Sequence, residues 1–476
     1  MYAAPQPRSA TRNAVTPRGT RRIALDLART YAYVDEHLDR WLDEVAAFCR
    51  IGSVGRDDAA MDAARRWLEA AFARLGAEVR SIPWDGAHPY VFAAVGAGPR
   101  SVLFFNHYDV ADYTNPVREA PGERHPFSGE RSGGKLYARG SADDKGTLLA
   151  RMHAVEALAA TTGLPLAARF LVEGKKGVSN KALEGFVAAH HAQLDSDCCL
   201  WEAGAKDERE RQTISLGHKG NLYIDLVVRG TDRVWPSRYT LFPNPAWTLT
   251  WALASLKGPD ERVLLPGFYD RVRPASDSDE RLVYAHLADD TDALRERAGI
   301  AGFVAGVRGR DALRRLYGQP SLAICGIEGG ARGAGQQLVL PAEARAKIEF
   351  RLVPDQDPDE VLASLRAHLD AHGFAEVGIE VQGRCPPYAI AADGWLPRLL
   401  LETAARVYPH GAVLTPVATG IGNRYAFARW TAMPIAGFAI GYAGYQIETN
   451  DEHIRVEDYR EQVKWVATIL AAVTER

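Results

Sequence analysis

Two short segments carry side chains with chemistry in their spacing. In Asn106-His107-Tyr108-Asp109, directly after the apolar run Val102-Leu103-Phe104-Phe105, an imidazole stands two residues before a carboxylate. That spacing lets the histidine ligate a cation while the aspartate orients its ring. In Gly140-Ser141-Ala142-Asp143-Asp144-Lys145-Gly146, small residues permit close backbone approach around Asp143, a carboxylate able to bridge two cations. The same aspartate can equally serve as the N-cap of the helix that follows. A third segment, Val172-Glu173-Gly174-Lys175-Lys176-Gly177-Val178-Ser179, ends another apolar run and carries two ammonium groups.

The elements that must hold these residues can be read from periodicity. Residues 23 to 75 are predicted helical, because Leu38, Trp41, Leu42, Val45 and Phe48 recur at three- and four-residue steps. Short apolar runs at 91–95, 102–105 and 168–172 read as strands, with a helix over 145–160 between the last two. Strand, helix, strand at this spacing predicts an α/β domain with a mostly parallel sheet, and ligands bind at the carboxyl ends of such strands. Beyond Gly217 the character changes. Residues 221–228, 347–353 and 377–381 alternate as strands with an exposed face do, and a helix is expected over 358–372. This predicts an inserted α+β domain over 218–384. Helix (395–407), buried strand (434–441) and a closing helix from Val456 complete the first domain, assigned to 23–217 and 385–476.

Composition sets outer limits. A chain of 476 residues exceeds a single core, and 47% hydrophobic with 25% charged residues is ordinary for a globular protein. A net charge of −3 argues against nucleic acid as a partner. The apolar runs are strand-length, too short to span a membrane. Five cysteines without a CxxC pair suit a reducing compartment. Residues 1–22, with Arg8, Arg12, Arg18, Arg21 and Arg22, read as a disordered basic lead-in. Asp26 and Arg29 then exclude an apolar export signal after Arg21-Arg22, so a cytoplasmic location is expected.

His107 and Asp143 in these contexts resemble the co-catalytic zinc exopeptidases and deacylases, a family that includes acetylornithine deacetylase, succinyl-diaminopimelate desuccinylase and the carnosine-type cytosolic dipeptidases. Segments 242–247 (Phe-Pro-Asn-Pro-Ala-Trp) and 264–270 (Leu-Leu-Pro-Gly-Phe-Tyr-Asp) look like the dipeptidase branch, as do Pro320-Ser321-Leu322, Ile327-Glu328-Gly329-Gly330 and residues 341–346. The resemblance implies a two-domain subunit with an inserted lid that makes a homodimer. It implies His107, Asp143 and Glu202 as ligands of a first metal, with Asp109 holding the histidine. It also implies Arg351 as the lid arginine that grips a substrate carboxylate, and Gly420, Gly422 and Asn423 as a substrate-binding loop.

The departures from that pattern are as informative. Lys176 stands where the family's general base belongs, Gly177 where a second-metal ligand belongs, and Glu448 where that metal's histidine belongs. Val234 replaces the lid histidine that reaches the partner subunit. At most one zinc per subunit is therefore expected, with none as the alternative. Lys176, Glu448 and Asp109 are the candidate catalytic residues, with the Lys176 ammonium expected to pair with Asp143 and Glu448. The expected substrate is a small amino-acid- or dipeptide-like molecule with a free carboxylate. Altered chemistry (amide formation, cyclisation, acyl transfer or acid/base elimination), as fits specialised metabolism, is the leading expectation. A single-metal dipeptidase of narrow specificity and a non-catalytic subunit are the alternatives.

Overall fold

The computed structural model describes residues 27–112, 124–174, 181–287, 291–331 and 334–476. The basic lead-in and the Lys175, Lys176 and Gly177 positions lie outside the described residues.

The predicted apolar stripe forms the buried face of the helix Leu27–Arg50, where Trp41, Leu42, Val45 and Phe48 are fully enclosed. The helix does not continue to residue 75 as periodicity suggested. It breaks at Gly52 and restarts as Asp58–Arg74, because the Asp57 carboxylate accepts the Ala60 amide at 3.0 Å as an N-cap. Helices Leu27–Arg50, Lys145–Thr161 and Val456–Thr474 pack against one another over one face of the main sheet.

That sheet has eight strands, in the order Glu78–Trp84, Ala87–Val95, Ala167–Glu173, Ser101–His107, Cys198–Trp201, Ile435–Gly437, Gln212–Ser215 and Ala412–Thr415. It is mixed: four of its seven pairings are parallel, including the central run from Ala167–Glu173 to Ile435–Gly437. Its middle strands carry apolar runs such as Val102–Phe105 and Phe170–Val172 because both faces are covered. Val102 and Phe104 point into the core under the three long helices, whereas Leu103 and Phe105 point into a second core with Phe186, Trp201 and Phe427.

A separate apolar core lies within residues 222–377, built from Leu222, Ile224, Ile348, Phe350, Leu365 and their neighbours. Strands Ser321–Gly329, Glu343–Leu352, Gly217–Arg229 and Gly378–Cys385 form its antiparallel sheet, covered by helices Pro245–Leu256 and Pro358–Ala371. Glu343–Leu352 alternates buried and half-buried positions along its whole length, as expected. Gly217–Arg229 does not, and is buried on both faces over nearly all of its 13 residues. Its first residues pair with Tyr388–Ala389 and Ala418–Ile421, and residues from 220 onward pair with the lid strands. One unbroken strand therefore belongs to both parts of the molecule.

Candidate functional site

His107 is the last residue of its strand and Glu202 directly follows the adjacent parallel strand Cys198–Trp201, so both project at the carboxyl edge of the sheet. Asp143 sits in the loop before the helix Lys145–Thr161. His107, Asp143 and Glu202 each bring one potential ligand atom to within 4.8 Å of the other two, the group of this kind found among the described residues. His107 Nε2 lies 3.1 Å from Asp143 Oδ1. Its Nδ1 lies 3.0 Å from Asp109 Oδ1 and 3.1 Å from the Asp109 carbonyl. Assigning the proton to Nδ1 leaves the Nε2 lone pair directed at the group, as a ligand requires.

Several residues outside the expected set hold this arrangement. Glu452 is fully enclosed, and its Oε1 accepts the backbone amides of Gly140, Ala142 and Asp143 at 3.0–3.2 Å. Burial and the neighbouring Asp143 push its carboxyl up to about 8, against the pull of those amides. Its Oε2 accepts the amide of Glu448, whose backbone is left-handed at φ 58°. Glu448 is thus tied to the Asp143 loop through Glu452, though it is not among the three converging donors. Lys145 donates to the carbonyls of Phe48 and Ile51, fastening the same loop to the first helix, and burial lowers its ammonium to about 8. Asp144 accepts from Asn106 Nδ2 at 2.7 Å and the His107 amide at 3.0 Å, and burial raises it to about 7.

Arg351 and the loop that holds Gly420, Gly422 and Asn423 adjoin one another. Arg351, on the strand Glu343–Leu352, reaches across to the Thr419 carbonyl at 3.5 Å, beside Gly420, Gly422 and Asn423. Its Nε pairs with Glu349 at 3.0 Å. Buried Lys219 lies in its field, and burial together with Arg351 lowers that ammonium to about 8. Gly422 packs on the His218 ring, where a Cβ would come within 3.2 Å of it. The next side chain but one, Arg424, is fully buried. It donates to the Ser215 and Gly217 carbonyls at 3.1 and 3.2 Å and lies 5.9 Å from the Trp201 ring, beside Glu202. At Gly437 a Cβ would stand 2.1 Å from the Arg424 guanidinium, so the strand Ile435–Gly437 ends in the residue that admits it.

Sequence reasoning passed over Glu452, Asn106, Arg151, Lys219 and Arg424. Arg151 lies in a helix whose residues 145–155 are all buried, a consequence of tertiary packing that only the fold reveals. Lys176, the expected pairing partner of Asp143 and Glu448, lies outside the described residues.

Comparison with known proteins agrees with this geometry. The model of "Peptidase family M20/M25/M40" matches residues 103–472. The chain is 27% identical over 370 residues to the Beta-Ala-His dipeptidase of Rattus norvegicus, covering 72% of this chain and 74% of that protein. It is 25% identical over 373 residues to the Cys-Gly metallodipeptidase dug1 of Schizosaccharomyces pombe, covering 73% and 76%. The M20 family metallo-carboxypeptidase Sso-CP2 of Sulfolobus solfataricus superposes with a TM-score of 0.83 at 26% identity, over 92% of this chain and 99% of that one. With the match running through both segments of the main sheet and the inserted lid, the chain belongs, as an enzyme of the hydrolase class, to peptidase family M20/M25/M40.

Proposed function

We propose that this protein is a metal-dependent hydrolase of dipeptides or similar short amides that end in a free carboxylate, and that it works with a single zinc ion. The observation that carries the reading is the convergence of His107, Asp143 and Glu202 at neighbouring strand ends. Donor atoms around a tetrahedral zinc at ~2.0–2.2 Å stand about 3.3 Å apart, close to the His107–Asp143 separation of 3.1 Å. One nitrogen and two carboxylate oxygens suit zinc and leave a position open for substrate. The residues present fit the ion.

Zinc held there would polarise a substrate carbonyl and acidify a water. Asp109 would keep the His107 ring turned toward the cation. The Arg351 guanidinium fork would grip and orient a substrate carboxylate, and the field between Arg351 and Lys219 favours an anion in that corner. The Gly420–Asn423 loop would close over the same end of the substrate. Glu448 and Lys176 are the groups assigned to proton movement.

Family membership and similarity to dipeptidases support hydrolysis over amide formation, cyclisation, acyl transfer or elimination, and over a non-catalytic subunit. All five cysteines are free thiols, which supports a cytoplasmic setting. No described helix is long and apolar enough to cross a membrane. A homodimer through the lid is supported by the edge strand Ser321–Gly329, with Ile324 and Ile327 exposed, and by the stacked, exposed Trp247 and Trp251.

The test is mass-spectrometric product analysis of zinc-loaded protein with a panel of dipeptides and N-acyl amino acids. Release of free amino acids at a rate abolished by chelation is expected. Binding without turnover, or products that retain or lose water in any other balance, would remove the hydrolase reading.

A further inference from the structure

Arg151 is a cation buried where none of the roles above requires one. Its side chain is fully enclosed in the middle of the helix Lys145–Thr161, beneath the carboxyl edge of the main sheet. Nη1 donates to the Phe105 carbonyl at 2.9 Å, to Asn106 Oδ1 at 2.8 Å and to the Leu200 carbonyl at 3.1 Å. Nη2 donates to the carbonyls of Trp201 at 2.8 Å and Phe438 at 3.1 Å. The guanidinium is flanked by the Phe104 and Phe438 rings at 5.6 and 5.7 Å. One planar group thus stitches together the ends of three neighbouring strands.

The positions it holds are telling. Asn106 immediately precedes His107, and Trp201 immediately precedes Glu202. Asn106 uses its amide nitrogen to bind the carboxylate of Asp144, the residue directly after Asp143. The same Asp144 oxygen takes the His107 backbone amide. Each of the three converging donors therefore sits one residue from a group that Arg151 grips, directly for His107 and Glu202 and through Asn106 for Asp143.

We propose that Arg151 is a positioning residue for the cation site, fixing the spacing of His107, Asp143 and Glu202 before any ion enters, with Asn106 as the link to the Asp143 loop. This rests on the metal reading given above. Three acidic or ligating groups crowded in a buried site repel or scatter unless something holds them, and an internal guanidinium with five fixed acceptors does so without occupying the site. Groups that orient ligands without touching the metal typically alter its affinity 10–100-fold.

Zinc affinity is to be measured by competition with a chromophoric chelator for the full-length wild type, Arg151→Met, Arg151→Lys and Asn106→Ala. The melting temperature of each metal-free protein is recorded alongside. A loss of at least tenfold in zinc affinity is expected for Arg151→Met, with Arg151→Lys intermediate because an ammonium cannot reach all five acceptors. Asn106→Ala keeps the cation and its carbonyl contacts, so it should stay folded and lose affinity about tenfold, with its metal-free melting lowered less than that of Arg151→Met. Should Arg151→Met fail to fold, Asn106→Ala and Arg151→Lys carry the test. Folded variants that bind zinc as tightly as wild type would overturn the positioning role and leave Arg151 a simple cross-strand tie. Wild-type protein that holds no zinc would remove the metal reading itself, a distinct result seen before any variant is compared.

Discussion

Arg351 illustrates how one side chain can be assigned a job by its neighbours. Glu349 takes its Nε and the Thr419 carbonyl one of its terminal nitrogens, so the guanidinium is aimed across the gap between the lid sheet and the Gly420–Asn423 loop. The Lys219 ammonium, lowered by burial and by Arg351, adds further positive charge to that corner. A charged hydrogen bond to a substrate carboxylate contributes ~1.5–3 kcal/mol, so Arg351→Ala should raise KM for free dipeptides by roughly 10–100-fold. Peptides whose terminal carboxylate is amidated should already be poor substrates and lose little more. Steady-state kinetics on both substrate types checks this, and equal losses on the two would remove Arg351 from carboxylate binding.

At the scale of elements, the strand Gly217–Arg229 carries a pH dependence of its own. His218 is buried on it against Gly422, and burial together with Arg424 lowers its imidazole to about 3. The folded value lies below that of the unfolded chain, near 6.5. The stability involved is therefore fully present above pH 6.5 and is lost as pH falls toward 3. The loss runs at up to about 1.4 kcal/mol per pH unit. His218→Gln should flatten that slope in urea unfolding followed from pH 7 to pH 4, and an unchanged slope would show that other groups set it. This strand also marks where the sequence stopped being legible. Strand ends and loop starts put His107, Asp109 and Asp143 at the carboxyl edge of the sheet, because periodicity locates the sheet, whereas Glu202 entered only through the family resemblance; in the structure His107, Asp143 and Glu202 lie together with Asp109 against the His107 ring. The alternation expected for 221–228 gave way to burial on both faces, which depends on helices and loops far away in the chain. Glu452, Asn106 and Arg151 went unread for a similar reason. Apart from the short link between Glu448 and Glu452, their side-chain hydrogen bonds span 38 to 312 residues of sequence, and no local period records them.

For the whole molecule, the exposed apolar groups gather on the lid. Ile327 is 63% exposed on an edge strand, and Trp247 and Trp251 are each 56% exposed on the helix Pro245–Leu256. In the proposed lid dimer a second copy would cover such surface. Ile327→Asp combined with Trp251→Glu should turn a dimer into a monomer in sedimentation velocity, and an unchanged sedimentation coefficient would place the contact elsewhere. The strand that runs through both sheets bears on how such an assembly can work. Its ends are clamped by ladders of hydrogen bonds on either side, so the lid is joined to the rest of the protein as a blade to a torsion bar rather than as a door on loose pins. Opening and closing would then be a twist distributed over a stiff rod, with a restoring torque built into the backbone and a resting angle set by the fold.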